Sequence, residues 1–136
     1  MFGKIISISC VVCFSQTILA STLFDKPIQT SPLATMQSMI DLGRDCVTGS
    51  RESCRSLTKL CDEDGDSDVW NICYIGGAED KVKEYADEYF SGISIGAAVE
   101  NGDRAIVHYM FNIEDEWRHE YMNMRLIDGK WFLNSQ

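Results

Sequence analysis

Hydrophobic and polar positions divide the chain into a helical part followed by a strand part. From Ser31 onward, Leu33, Met36, Met39, Ile40 and Leu42 recur at helical spacing. Ser31-Pro32 supplies the matching start, a capping serine with proline at the first helical position, and Gly43 reads as the stop. Ser50-Arg51-Glu52-Ser53 opens a second short helix, with Cys54, Leu57, Leu60 and Cys61 on its inner side. Val69 to Ile75 is apolar and fits either a helical turn or a short strand, and Gly76-Gly77 breaks it. Ala78 to Phe90 carries the clearest helical pattern. Val82, Tyr85, Ala86, Tyr89 and Phe90 line one side, and Asp80, Lys81, Lys83, Glu84, Asp87 and Glu88 the other. This helix is expected to lie across the core face of a sheet.

From Gly92 the pattern changes to segments of strand length between turn signals. Asn101-Gly102 and Asp128-Gly129 are dipeptides favoured in two-residue hairpins, because both central residues take positive φ. The acidic run Glu114-Asp115-Glu116 marks a third, longer turn. The first turn then pairs Glu100 with Asp103 and Ala98 with Ala105. The last pairs Leu126 with Trp131 and Met124 with Leu133. The middle one pairs Ile113 with Trp117, Phe111 with His119 and Tyr109 with Tyr121. Since side chains alternate along a strand, one face collects Ile93, Ile95, Ala97, Val99, Ile106, His108, Met110, Met122, Met124, Leu126, Trp131 and Leu133. It reads as the core face. The other collects Tyr109, Phe111, Trp117, His119, Tyr121, Arg125 and Phe132, too aromatic for a face left in water. These seven are the interface candidates, since an exposed aromatic patch signals a protein or ligand surface. The plainer alternative is that the sheet curls and buries them. The expected fold class is α+β, with N-terminal helices packed on one face of a curled four-stranded antiparallel meander. Residues 21–136 form one domain, mostly helical over 21–91 and sheet over 92–136.

The first twenty residues read as a secretory signal. Lys4 gives a short positive region, Ile5 to Phe14 an apolar run, and Thr17-Ile18-Leu19-Ala20 a small-residue cleavage site before Ser21. The protein is therefore expected outside the cytoplasm, periplasmic or secreted, and not inserted in a membrane once the signal is removed. The 136-residue chain has a formal net charge of −9. Without residues 1–20 it is −10, from 11 Lys plus Arg against 21 Asp plus Glu. Such a balance argues against nucleic acid and anionic lipid, and it favours solubility or a basic partner.

Export gives the cysteines a meaning. Cys46, Cys54, Cys61 and Cys73 remain after the signal, an even number suited to disulfides. If Cys54 and Cys61 share one helix they are too far apart to bridge. That leaves Cys46–Cys54 with Cys61–Cys73, preferred for its local loops, or Cys46–Cys61 with Cys54–Cys73. Asp62, Asp64, Asp66 and Asp68 lie in the most acidic run and are the calcium candidates, since hard cations want clustered carboxylates. The EF-hand pattern fails in both registers, and a solvated loop between cysteines is the better reading.

Two histidines are present, His108 and His119, and in the register above they point to opposite faces, so no dyad or shared metal is expected. No nucleophile elbow, phosphate loop, dinucleotide fingerprint or paired-histidine zinc motif occurs. No catalytic residue and no cofactor are assigned.

The helix Ala78–Phe90, the segment Gly102-Asp103-Arg104-Ala105-Ile106-Val107 and the closing hairpin Ile127-Asp128-Gly129-Lys130-Trp131-Phe132-Leu133 together resemble the nuclear transport factor 2-like superfamily, in its small exported bacterial forms. The resemblance covers about the last 60 residues. It implies a cone-shaped sheet with a pocket, an outer sheet face that often dimerises, and functions ranging from isomerases and cyclases to binding and immunity proteins. The acidic and tyrosine residues that the enzymes of that superfamily place in the pocket find no match here. The expected function is an exported, non-enzymatic binding protein acting on another protein or on a second copy of itself. An acidic inhibitor or immunity-type protein is one specific form. The alternative is a small-ligand pocket protein or an enzyme of the nuclear transport factor 2-like type.

Overall fold

A computed structural model describes residues 26–136. The signal segment expected at residues 1–20 lies outside them. Among the described residues four helices precede four strands: α1 (Pro32–Val47), α2 (Arg51–Thr58), α3 (Ser67–Cys73) and α4 (Asp80–Ser91), then β1 (Ile93–Asn101), β2 (Arg104–Ile113), β3 (Glu116–Ile127) and β4 (Lys130–Leu133). A single 3-10 turn, Ile75–Gly77, links α3 to α4.

Local chemistry accounts for the helix starts. The Ser31 hydroxyl accepts from the Ala34 N–H, with Pro32 at the first position of α1. Ser50 caps α2 through Ser53, and Asp66 caps α3 through Val69. Gly43 does not stop α1, which continues to Val47. A Cβ there would fall 2.6 Å from the Phe90 ring, so this glycine lets α4 approach α1 closely. Phe90 is 2% exposed at that crossing.

The strands follow one another as β1-β2-β3-β4, all antiparallel. Helices pack on one face of this sheet, as the hydrophobic pattern requires of an α+β fold. The sheet is open and not curled, and that overturns both the curled meander and the nuclear transport factor 2-like cone. The physical reason is visible at the edges. Two-residue turns run the strands up and down, β4 has only four residues, and β4 does not close onto β1. The free side of β4 is taken instead by other segments. Trp131 N–H donates to the Gln29 carbonyl (3.0 Å) and Leu133 N–H to Leu60 (2.8 Å), while Asp62 N–H returns a bond to Leu133 (2.9 Å). That satisfies an edge that would otherwise invite pairing.

The register departs from expectation in two places. At the first turn Asn101 pairs with Arg104 and Glu100 with Ala105, so Gly102-Asp103 is the loop and Gly102 carries the positive φ of 62°. The acidic turn is also shorter than expected. Glu114 and Asp115 alone form it, both left-handed at φ 54° and 62°, and Ile113 pairs with Glu116, Phe111 with Arg118 and Tyr109 with Glu120. The Glu88 carboxylate at the end of α4 accepts the Glu114 N–H at 2.9 Å and pins this turn. A one-residue change of register exchanges the faces of one strand against its neighbour. Ala105, Val107, Tyr109, Phe111 and Ile113 are therefore the buried side of β2, facing the helices with Met122 and Met124. Ile106, His108 and Met110, expected inside, are on the outer face. A bulge between Ile95 and Ala98 makes the corresponding switch in β1, leaving Val99 outside.

Two disulfides join Cys46 to Cys54 and Cys61 to Cys73. Cys61 also bridges Leu133 in parallel, so the second disulfide anchors α3 to the sheet.

Candidate functional site

The outer face of the sheet is built by alternation from all four strands. Val99, Ile106, Met110, Trp117 and Tyr121 stand 59%, 38%, 41%, 58% and 55% exposed on it. Among the described residues no helix lies on this side. Of the seven interface candidates, Trp117, His119, Tyr121, Arg125 and Phe132 are on this face. Tyr109 and Phe111 are not: they are 6% and 8% exposed within the core. Their places are taken by Ile106, His108 and Met110, turned outward by the shorter acidic turn, and by Val99, turned outward by the β1 bulge.

The corrected register unites the two histidines. His108 and His119 stack with ring centroids 5.6 Å apart and planes 24° from parallel, and Tyr121 tilts against His108 at 6.4 Å. They share a face, contrary to the expectation of opposite faces. Two imidazoles alone do not make a metal centre. Among the described residues no group of three His, Cys, Asp or Glu side chains converges.

Among the strand charges, Arg104, Arg125 and Lys130 point outward, whereas Arg118 and the carboxylates Glu100, Glu116 and Glu120 fall on the opposite face. Arg104 and Arg125 are direct cross-strand partners, a like-charge arrangement that disfavours the sheet. Arg125 is relieved by Asp62 (3.5 Å) and Asp64 (3.4 Å). Arg104 has no ion-pair partner among the described residues.

The four aspartates flagged for calcium do separate work. Asp62 is 3% exposed, accepts from Asn134 Nδ2 (2.9 Å) and from the Asp64 N–H (3.0 Å), and faces Arg125. Asp66 is the α3 cap and Asp68 lies in the first turn of that helix. Asp62 and Asp64 converge on Arg125, and the four together are not gathered around one point.

A cleft opens on the helical side, between α3, α4 and strands β2 and β3. Its volume is about 470 Å³, with Ile72, Tyr89, Tyr109, Phe111 and Glu120 in its walls. Tyr89 and Tyr109 share a hydroxyl–hydroxyl hydrogen bond of 2.9 Å. Burial holds the Tyr89 hydroxyl well above the ordinary phenol range, reinforced by Tyr109 and the Glu120 carboxylate. Burial also raises Tyr109, with Glu120 adding to it and the bond from Tyr89 working the other way. Both hydroxyls are thus neutral hydrogen-bonding groups and not bases at neutral pH. Of α4 only Ala86 and Phe90 are buried, and Val82 and Tyr85, expected to face the core, remain 47% and 55% exposed.

No described helix is long and apolar enough to cross a membrane. Comparison with protein-family models, curated proteins and solved structures finds no match to this chain.

Proposed function

We propose that this chain is an exported, non-enzymatic binding protein that engages another protein through the outer face of its open sheet. The observation that carries this reading is the contiguous exposure of Val99, Ile106, Met110, Trp117 and Tyr121 on a face left bare by the described helices. An antiparallel sheet with a wet face alternates apolar inside with polar outside. Here Val99, Ile106, Met110, Trp117 and Tyr121 interrupt that pattern with exposed apolar and aromatic side chains, the composition of an interface centre. An inhibitor or immunity-type protein is one form this function takes. Export rests on the N-terminal segment and on the disulfides, which persist in oxidising compartments.

The test begins with light scattering of the oxidised protein across a concentration series, to learn whether a second copy occupies the face. Association with the occupant, captured from the native envelope fraction if the protein is monomeric, is then compared for Trp117→Ala and Tyr121→Ala. Exposed aromatics at an interface centre are expected to cost tenfold or more in affinity, on the order of 2 kcal/mol, without loss of fold. Association unchanged in both variants rejects the reading.

A further inference from the structure

We propose that the occupant of the outer sheet face is an acidic, aromatic-accepting surface of a different protein, and not a second copy of this chain. The inference rests on the reading that this face is the binding surface, and it adds the chemistry of the partner.

Three observations carry it. First, the outer face carries a local positive excess. It holds Arg104, Arg125 and Lys130, whereas the strand carboxylates Glu100, Glu116 and Glu120 lie on the other side together with Arg118. Second, Arg104 and Arg125 oppose each other across β2 and β3, and among the described residues only Arg125 has carboxylate partners. A like-charge pair on neighbouring strands works against folding. An acidic group from a partner would reach Arg104 in a bidentate geometry and remove that repulsion. Third, the basic end grades into the apolar patch. Arg104 and Ile106 stand two residues apart on the same face of β2 and Ile106 pairs with Val99, so cation and apolar surface form one continuous area.

These features discriminate among occupants. A twofold pairing of two outer faces is isologous and sets each patch against itself. It would bring a second copy of the Arg104 and Arg125 pair onto this face, where Asp62 and Asp64 reach only Arg125. A nucleic acid carries a charge at every phosphate, so all of it beyond the few cations of this face meets the negative field of the chain, which extends about a Debye length, near 8 Å, at physiological salt, whereas a protein's acidic patch can be confined to those cations. A protein that presents a local acidic patch beside an apolar pocket satisfies both the cations and the aromatics.

The experiment uses the full oxidised protein and a random glutamate–tyrosine copolymer as the acidic, aromatic probe. A lysine–tyrosine copolymer and a twelve-residue oligothymidylate are the comparators. Binding is followed at the Trp117 indole resonance and the β2 and β3 amides by two-dimensional NMR. The glutamate–tyrosine copolymer is expected to shift the outer-face resonances, more weakly as salt rises. Arg104→Glu is expected to weaken it by about tenfold. Trp117→Ala weakens it as well, reporting the face itself. If Trp117→Ala weakens binding and Arg104→Glu does not, the face binds but the acidic-partner inference falls. If neither variant matters, the reading of the face falls with it. Equal shifts from oligothymidylate, preference for the lysine copolymer at Trp117, a concentration-dependent dimer through this face, or no shift from any probe each overturn the proposal.

Discussion

Neighbouring residues Ile106 and Val107 offer a direct test of which side of the sheet is buried. Val107 is 0% exposed, between Ala98 on β1 and Met122 on β3, while Ile106 is 38% exposed between Val99 and Asn123. Threonine at either position keeps a β-branched side chain, so strand preference is held nearly constant. At 107 it exchanges a buried methyl for a hydroxyl among apolar side chains, where the neighbouring backbone groups are occupied by the ladder. An unpaired buried hydroxyl costs about 1–3 kcal/mol. At 106 the hydroxyl reaches water, and the cost is expected to stay within about 0.5 kcal/mol. A 2 kcal/mol loss lowers the melting temperature of a domain near this size by about 8 °C. Urea unfolding of the oxidised protein measures both variants, with an unchanged slope marking a pure stability effect. If Ile106→Thr proved the more destabilising, the outer face would be the buried one, and the interface reading built on it would fail.

Other expectations follow from the same contacts. The folded-state pKa values of Tyr89 and Tyr109 lie above the ordinary 10.0, so their contribution to stability is complete below pH 10 and is lost as pH climbs from there toward the folded values. Each such hydroxyl steepens the loss by up to about 1.4 kcal/mol per pH unit, and Tyr89→Phe should flatten an alkaline unfolding curve; an identical curve would contradict the buried hydroxyl pair. Gly43→Ala gains roughly 1 kcal/mol of helix propensity but presses a methyl into the Phe90 ring, so a net destabilisation of about 1–2 kcal/mol is expected, recovered in the double variant with Phe90→Leu. Replacing Cys61 and Cys73 by alanine frees a loop with a sequence separation of 12, at an expected cost of about 3 kcal/mol. It should also speed hydrogen exchange at the Leu133 N–H, which donates to Leu60; unchanged exchange would show that this edge does not depend on the disulfide.

What could be read locally was determined by the sequence. Capping serines, Pro32 at a helix start and the Asp128-Gly129 turn act through nearest neighbours, and each sits where its chemistry places it. The helical and strand halves likewise follow from the period of their apolar positions. What tertiary structure alone decided was which face each strand turns inward. On β2 both sides are apolar, Ile106 and Met110 against Val107 and Phe111, so alternation did not choose between them. Glu114-Asp115-Glu116 marks a turn but lacks the glycine of a two-residue hairpin, yet the left-handed φ values of Glu114 and Asp115 close a two-residue loop held by Glu88 from a distant helix. That one-residue difference moved Tyr109 and Phe111 inward and brought His108 beside His119. Gly43 shows the same limit, since a stop signal in the chain became a close contact once Phe90 packed on it. Local signals specify where the chain turns, whereas the side that faces water is set by which residues the helices can cover, and that information is spread over contacts distant in sequence.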